Sequence, residues 1–183
     1  MLKKIKNRKL FQTLLTLHKQ QVEEKKLEGH SQFIFSLIKI NKNKIASDSI
    51  DMNIKIWNII TGNCLKTLVG HSQPAICLIK VNENKIVSSS NDSNIKIWDV
   101  LTGSCLKTLD QHSSNVTCLI NINIGKIASS SCYDSYIIIW DVLTGSCLKT
   151  LKGHPNGVSC YLLYPRFLNI YPYFHSQFDF HLI

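Results

Sequence analysis

Histidine, serine and aspartate, the three side chains of a hydrolase charge relay, recur together three times in this 183-residue chain. His30, His71 and His112 each precede a Ser-rich segment, "ASDS", "VSSS" or "ASSS", and an aspartate follows each segment: Asp51, Asp92 and Asp134. A tryptophan stands six residues beyond each aspartate, at Trp57, Trp98 and Trp140. A hydroxyl held by a histidine that is itself held by a carboxylate is a nucleophile for acyl transfer. The pattern nevertheless argues against that chemistry. A catalytic constellation is needed once, whereas this set returns with tryptophans 41 and 42 residues apart. The serines follow the pattern of strand residues, and no strained G-x-S-x-G elbow is present. A buried indole N–H needs an acceptor, and a Ser–His–Asp chain supplies one. The sets read as scaffold, and the protein as no enzyme.

The elements that must hold these side chains follow from the period. A repeat near 40 residues means that one supersecondary unit is being stacked. Units begin at Gly29-His30, Gly70-His71, Gln111-His112 and Gly153-His154. Alternation and turn signals divide each unit into four short strands. In the second they fall at 75–81, 85–89, 95–99 and 105–109, with "NENK" and "NDSN" as hairpin turns. Strands about ten residues apart indicate antiparallel meanders and not a parallel sheet with helices. The third unit has one extra residue between Lys126 and Trp140, which a bulge or a longer turn near Cys132 would absorb. The fourth opens with "GHPNGVSCYLLY" and then loses the pattern; residues 161–183 carry eight aromatics, Pro165 and Pro172.

With its Gly-His pairs, turn aspartates and terminal "WD" or "WN", the chain resembles the WD-repeat family of β-propellers over residues 29–163. The resemblance implies an all-β, partial (open) propeller of four-stranded antiparallel blades, with "CLKTL" outermost in each blade. Blades are expected at 29–69, 70–111 and 112–152, with part of a fourth at 153–163. A leader (1–28) precedes them and an aromatic, non-repeat tail (164–183) follows. The family implies a structural tetrad per blade: His30, Ser49, Asp51 and Trp57; His71, Ser90, Asp92 and Trp98; His112, Ser131, Asp134 and Trp140. Cys132 competes with Ser131 by spacing. The function implied is a non-enzymatic platform for other proteins, with contact residues expected in turns, at Ser72, Gln73, Asn91 and Ser114.

Composition narrows the remaining classes. Residues 1–28 hold eight Lys/Arg against three Glu, out of a net charge of +9 for the chain. Leu10, Leu14 and Leu17 at helical spacing make 1–22 an amphipathic helix with a basic start. Residues 23–28 read equally as its continuation or as an outer strand, because "LEGH" echoes "LVGH" and "LKGH". The second reading of function follows from this leader: an adaptor for anionic membrane surfaces or nucleic acid. No apolar run nears the roughly 20 residues that span a bilayer. Six of the seven cysteines fall on the period, Cys64, Cys105 and Cys147 at one position and Cys77, Cys118 and Cys160 at another, and Cys132 stands apart. They cannot converge on one metal and lack zinc-type CxxC spacing. They read as small buried hydrophobes in a reducing compartment, the cytoplasm or the nucleus. No Walker-type loop, G-x-G-x-x-G or H-E-x-x-H occurs, so no cofactor, metal or small-molecule substrate is expected. Propellers typically have 4–8 blades, so three written in full and the opening of a fourth, with the pattern lost near residue 161, are expected to be a piece of a longer propeller. Assembly of several chains into a ring through open blade edges and a degraded unit are the alternatives.

Overall fold

The computed structural model describes residues 27–153 and 157. The amphipathic leader, most of the ambiguous segment 23–28 and the aromatic tail lie outside the described residues. Residues 27 and 28 are irregular. Twelve strands form three antiparallel sheets, each a simple meander. The first blade is β1 (Ile34–Lys39), β2 (Lys44–Ser49), β3 (Ile54–Asn58) and β4 (Cys64–Leu68). The second is β5 (Ala75–Asn82), β6 (Lys85–Ser90), β7 (Ile95–Asp99) and β8 (Cys105–Leu109). The third is β9 (Val116–Asn123), β10 (Lys126–Ser131), β11 (Tyr136–Asp141) and β12 (Cys147–Lys152). Among the described residues the three sheets stay separate and do not close into a barrel or a ring.

Each blade offers one face to the blade before it and one to the blade after. Ala46, Ile54, Ile56 and Leu68 of the first blade pack on Ala75, Leu78, Ile86 and Trp98 of the second. Val87, Ile95, Ile97 and Leu109 of the second pack on Val116, Leu119, Ile127 and Trp140 of the third. Strand alternation explains why a single β2–β3 hairpin serves both neighbours, since odd and even residues face opposite ways. The middle strands are therefore largely buried on both faces, with their serines as well as their apolar residues inside. The outer strands have one flank toward solvent, and β4 exposes all but Leu68.

That exposure corrects one expectation about the cysteines. Among the described residues, Cys64 and Cys105 are exposed, Cys77, Cys118 and Cys147 half-buried, and Cys132 buried. Exposed Cys64 sits at the start of β4, its thiol bonded to the Lys66 carbonyl at 3.3 Å. Cys105 repeats this with Lys107.

The turns show how the repeat is punctuated. In the first two blades the β2–β3 and β6–β7 hairpins turn through Met52 and Ser93, at φ 65° and 66°. The left-handed region costs a non-glycine residue roughly 1–2 kcal/mol. In the third blade the extra residue lengthens the Cys132–Ser135 turn, and no left-handed residue is required there. The register of β10 with β11 is unbroken, so the insertion is a longer turn and not a bulge. Met52→Gly and Ser93→Gly are each expected to raise stability by about 1 kcal/mol, read as higher urea midpoints; unchanged or lower midpoints would contradict the strain.

Candidate functional site

The histidine of each unit stands just before the first strand of its blade and reaches the second strand and the turn that follows it. His71 Nδ1–H donates to Asp92 Oδ2 at 2.8 Å, and its Nε2 meets Ser88 Oγ at 2.7 Å. Trp98 Nε1–H donates to the same Ser88 Oγ at 2.8 Å. Because a carboxylate only accepts and an indole only donates, the direction is fixed. Trp98 donates to Ser88, Ser88 to His71, and His71 to Asp92. The first blade repeats the chain with Trp57, Ser47, His30 and Asp51, every step 2.8 Å. The third repeats it with Trp140, Ser129, His112 and Asp134, at 2.7, 2.7 and 2.6 Å.

The hydroxyl in these chains is Ser47, Ser88 or Ser129, two residues before the expected Ser49, Ser90 and Ser131. The two positions share a strand face, so parity alone does not separate them. Register does. Trp57 lies opposite Ile45 and Trp98 opposite Ile86, which makes Ser47 and Ser88 their diagonal neighbours. Ser49 and Ser90 lie about 7 Å further along the strand at ~3.3 Å per residue. They do a different task there. Ser90 Oγ donates to the Gln73 carbonyl and accepts from Asp92 N–H, tying the strand end to the turn. Ser49 does the same with Gln32 and Asp51. Ser131 is buried and its hydroxyl has no partner among the described residues. Cys132, the other candidate, instead contacts Ser114 Oγ at 3.6 Å.

Each aspartate is held from several sides. Asp92 also accepts from the backbone N–H groups of Ser72 and Asn94, both at 3.0 Å. Burial pushes its carboxyl up, but His71 and those N–H donors outweigh burial and hold it at about 2. Asp51 and Asp134 are lowered by the same opposition. In the third blade the Ser113 hydroxyl donates to Asp134, at the carboxylate oxygen that Asn53 and Asn94 contact in the other two. Burial holds His112 below the usual imidazole range, against the pull of Asp134. In the third relay His112 is therefore held neutral, with Nδ1–H donating to Asp134 and Nε2 accepting from Ser129.

Chemically the arrangement matches a hydrolase relay in connectivity but not in access. Ser47, Ser88 and Ser129 are at most 2% exposed, and each hydroxyl has both a donor and an acceptor already in place. A substrate carbonyl has no route to them. An open groove of about 690 Å³ is lined by Lys39–Lys44, Lys80 and Glu83, at the opposite end of the strands. No group of three or more His, Cys, Asp or Glu side chains among the described residues is arranged to hold a metal.

Two further positions carry structure that the sequence reading did not assign. The residue after each tryptophan, Asn58, Asp99 or Asp141, accepts two backbone N–H bonds from the turn that follows it. The glycine of the Gly-His pair approaches the indole: a Cβ on Gly70 would stand 3.2 Å from Trp98 Cη2. Histidine edge, tryptophan ring and glycine backbone thus pack as one block, with His71 and Trp98 ring centroids 6.0 Å apart.

The family model for the WD domain, G-beta repeat, matches residues 21–58, 62–99 and 103–141, more than half of the chain. The chain belongs to the WD-repeat family. The second and third matches start in the turn two residues before β4 and β8, and every match ends one residue past the tryptophan, so the family unit begins about eight residues before each Gly-His or Gln-His pair. That phase aligns residues 21–28 with the sequence of β4 and β8. Among solved structures, the chain is similar to the computationally designed Ika4 protein at 34% identity and a TM-score of 0.67. This likeness covers 73% of this chain and 81% of Ika4. It is similar to the WD40 beta propeller domain of Doa1 at 28% identity and a TM-score of 0.65, over 72% of this chain and 44% of that one. U3-55K gives 26% identity and a TM-score of 0.66, over 72% and 42%. The chain thus spans less than half of these two natural WD40 structures. No curated protein sequence matches it.

WD repeats and propeller neighbours are those of an interaction scaffold. Of the turn residues expected to meet a partner, Ser72 and Gln73 are exposed. Asn91 accepts an amide hydrogen bond from Asn115 at 2.9 Å, linking the second and third blades, and Ser114 is half-buried against Cys132.

Proposed function

We propose that the chain is a non-enzymatic scaffold that binds another protein through the turns at the histidine-bearing end of its blades. The observation that carries this reading is the burial of all three relays, which commits the reactive side chains to holding the blades together. Function is left to rigidly supported turns at the surface, which is where binding residues concentrate on all-β scaffolds. Exposed thiols at Cys64 and Cys105, with no disulfide among the described residues, suit a reducing compartment such as the cytoplasm.

Two measurements test it. A photo-crosslinking residue at Ser72 or Gln73 is expected to capture a partner protein from cell extract, while the same group at Glu83, on the opposite hairpin, captures none. Equal capture at both ends would sink the assignment of the face. A fluorophosphonate probe is expected to leave Ser47, Ser88 and Ser129 unlabelled in the folded chain; labelling there would return the hydrolase reading.

A further inference from the structure

Matched residues in the three blades differ in exposure in a way that identifies two unfinished faces. Leu78 and Leu119, on the faces that meet the preceding blade, are 3% and 4% exposed, whereas Leu37 at the same position of the first blade is 62% exposed. Ile34 and Ile59 are likewise exposed, while their counterparts Ala75, Val116, Val100 and Val142 are buried. On the other side of the arc, Ile122 is 45% exposed, although its first-blade counterpart Ile40 is fully buried. Leu151 is exposed where Leu68 and Leu109 are buried, and Ile137 and Ile139 are half-buried where Ile54, Ile56, Ile95 and Ile97 are buried.

These two faces are complements of each other. The contact between the first and second blades places positions 40, 54, 56 and 68 against positions 75, 78, 86 and 100. The third blade presents the same set as Ile122, Ile137, Ile139 and Leu151, and the first blade presents the receiving set as Ile34, Leu37, Ile45 and Ile59. Both finished contacts follow this pattern, with the blade-to-blade bonds Leu78 N–H to Ser36 Oγ and Asn121 Nδ2 to the Lys80 carbonyl. The Thr-Gly turns fit it too. Gly103 packs on Lys66 and Leu68, and Gly145 on Lys107 and Leu109.

We propose that the chain pairs head to tail with a second copy of itself, the third blade of each copy seated on the first blade of the other. The contact is heterologous, so it closes only if the rotation returns to its start. Two copies bring three blades each, which lies within the 4–8 of closed propellers, whereas three copies overshoot it. The inference rests on the blade faces and not on the partner reading, and crosslinking at Ser72 is read independently of the mass.

The test is the solution mass of the full chain by light scattering, with two single variants. Leu37→Glu charges the receiving face and Ile122→Lys the delivering face. Both positions are exposed in the single chain, so each variant keeps its fold, checked by the emission of its buried tryptophans. The unsubstituted chain is expected at twice the chain mass and each variant at the single mass. An equimolar mixture of the two is expected to return to twice the mass, because one junction is then unsubstituted and the other joins Glu to Lys. A single-chain mass for the unsubstituted protein, from faces left open or covered by residues 1–26 or 158–183, overturns the proposal. So does dissociation by one variant only, a mixture that stays single, or a ladder of larger masses.

Discussion

Ser88→Ala is expected to lower the stability of the chain by about 2–6 kcal/mol, because it strands two buried groups at once at ~1–3 kcal/mol each. Trp98 Nε1–H loses its acceptor and His71 Nε2 its donor, and both rings are packed away from water. Ser90→Ala, two residues on, removes only the strap between Gln73 and the Asp92 turn, and its cost is expected near 1 kcal/mol, in the range of an ordinary hydrogen bond. Urea unfolding of the two variants side by side reads the difference. Equal losses would mean that the relay does not run through Ser88. Conversely, a larger loss in the Ser90 variant would place the centre of the network at the strand end. Pro or bulky substitutions would confound the comparison, and alanine avoids them.

The second large effect concerns Asp48. It is fully buried in β2, at the position that Ser89 and Ser130 occupy in the other blades. One carboxyl oxygen accepts from Ser36 N–H at 2.6 Å, and the other has no partner among the described residues. Burial, only partly offset by backbone donors led by Ser36, pushes its pKa up to about 8. The neutral acid is therefore the form that fits the fold. A group whose folded pKa lies above its unfolded value contributes fully below the unfolded value and loses that contribution as pH rises toward the folded one. The chain is expected to weaken steadily from about pH 4 to about pH 8. Asp48→Ser is expected to remove this slope and to raise stability at pH 7 by about 2–4 kcal/mol, since each pK unit corresponds to ~1.4 kcal/mol. At pH 4 the two proteins should differ little. Parallel stability curves across that window would show that Asp48 is ionised in the folded chain. Asp92 has the opposite sign: its carboxyl, held at about 2, supports the fold above the usual carboxylate range and ceases to do so in acid.

Much of this site was legible in the residues. The tryptophans, the turn aspartates and the histidines are single occurrences at fixed offsets, and each stands where the repeat places it. The hydroxyl was not legible from spacing to Asp, because Ser47 and Ser49 share a face and both are serine. Counting back across the hairpin was the available signal: a turn at Ile50–Asn53 sets Trp57 opposite Ile45, and only Ser47 is then beside the indole. Asp48 went unremarked for a different reason. Flanked by serines in "ASDS", it reads as one more polar strand residue, and only the seating of the second blade makes it a buried acid. The exposed thiols show the converse limit, since alternation in "CLKTL" does not say that an outer strand has no neighbour on one flank. The extra residue of the third blade was visible as a count. Its effect, a turn free of left-handed residues, depends on backbone geometry that a count does not carry.

Near-identical blades that touch only their neighbours form a one-dimensional lattice, in which local stability is a unit's own share plus its contacts on either side. The second blade has two such contacts and the first and third have one each. In a single, unpaired copy, opening by thermal fluctuation therefore starts at the ends and reaches the middle last. Amide protons of β5–β8 would be the slowest to exchange with solvent, and those of β1 and β12 among the fastest. In a closed ring no blade is terminal, and the same protons would exchange alike in all three.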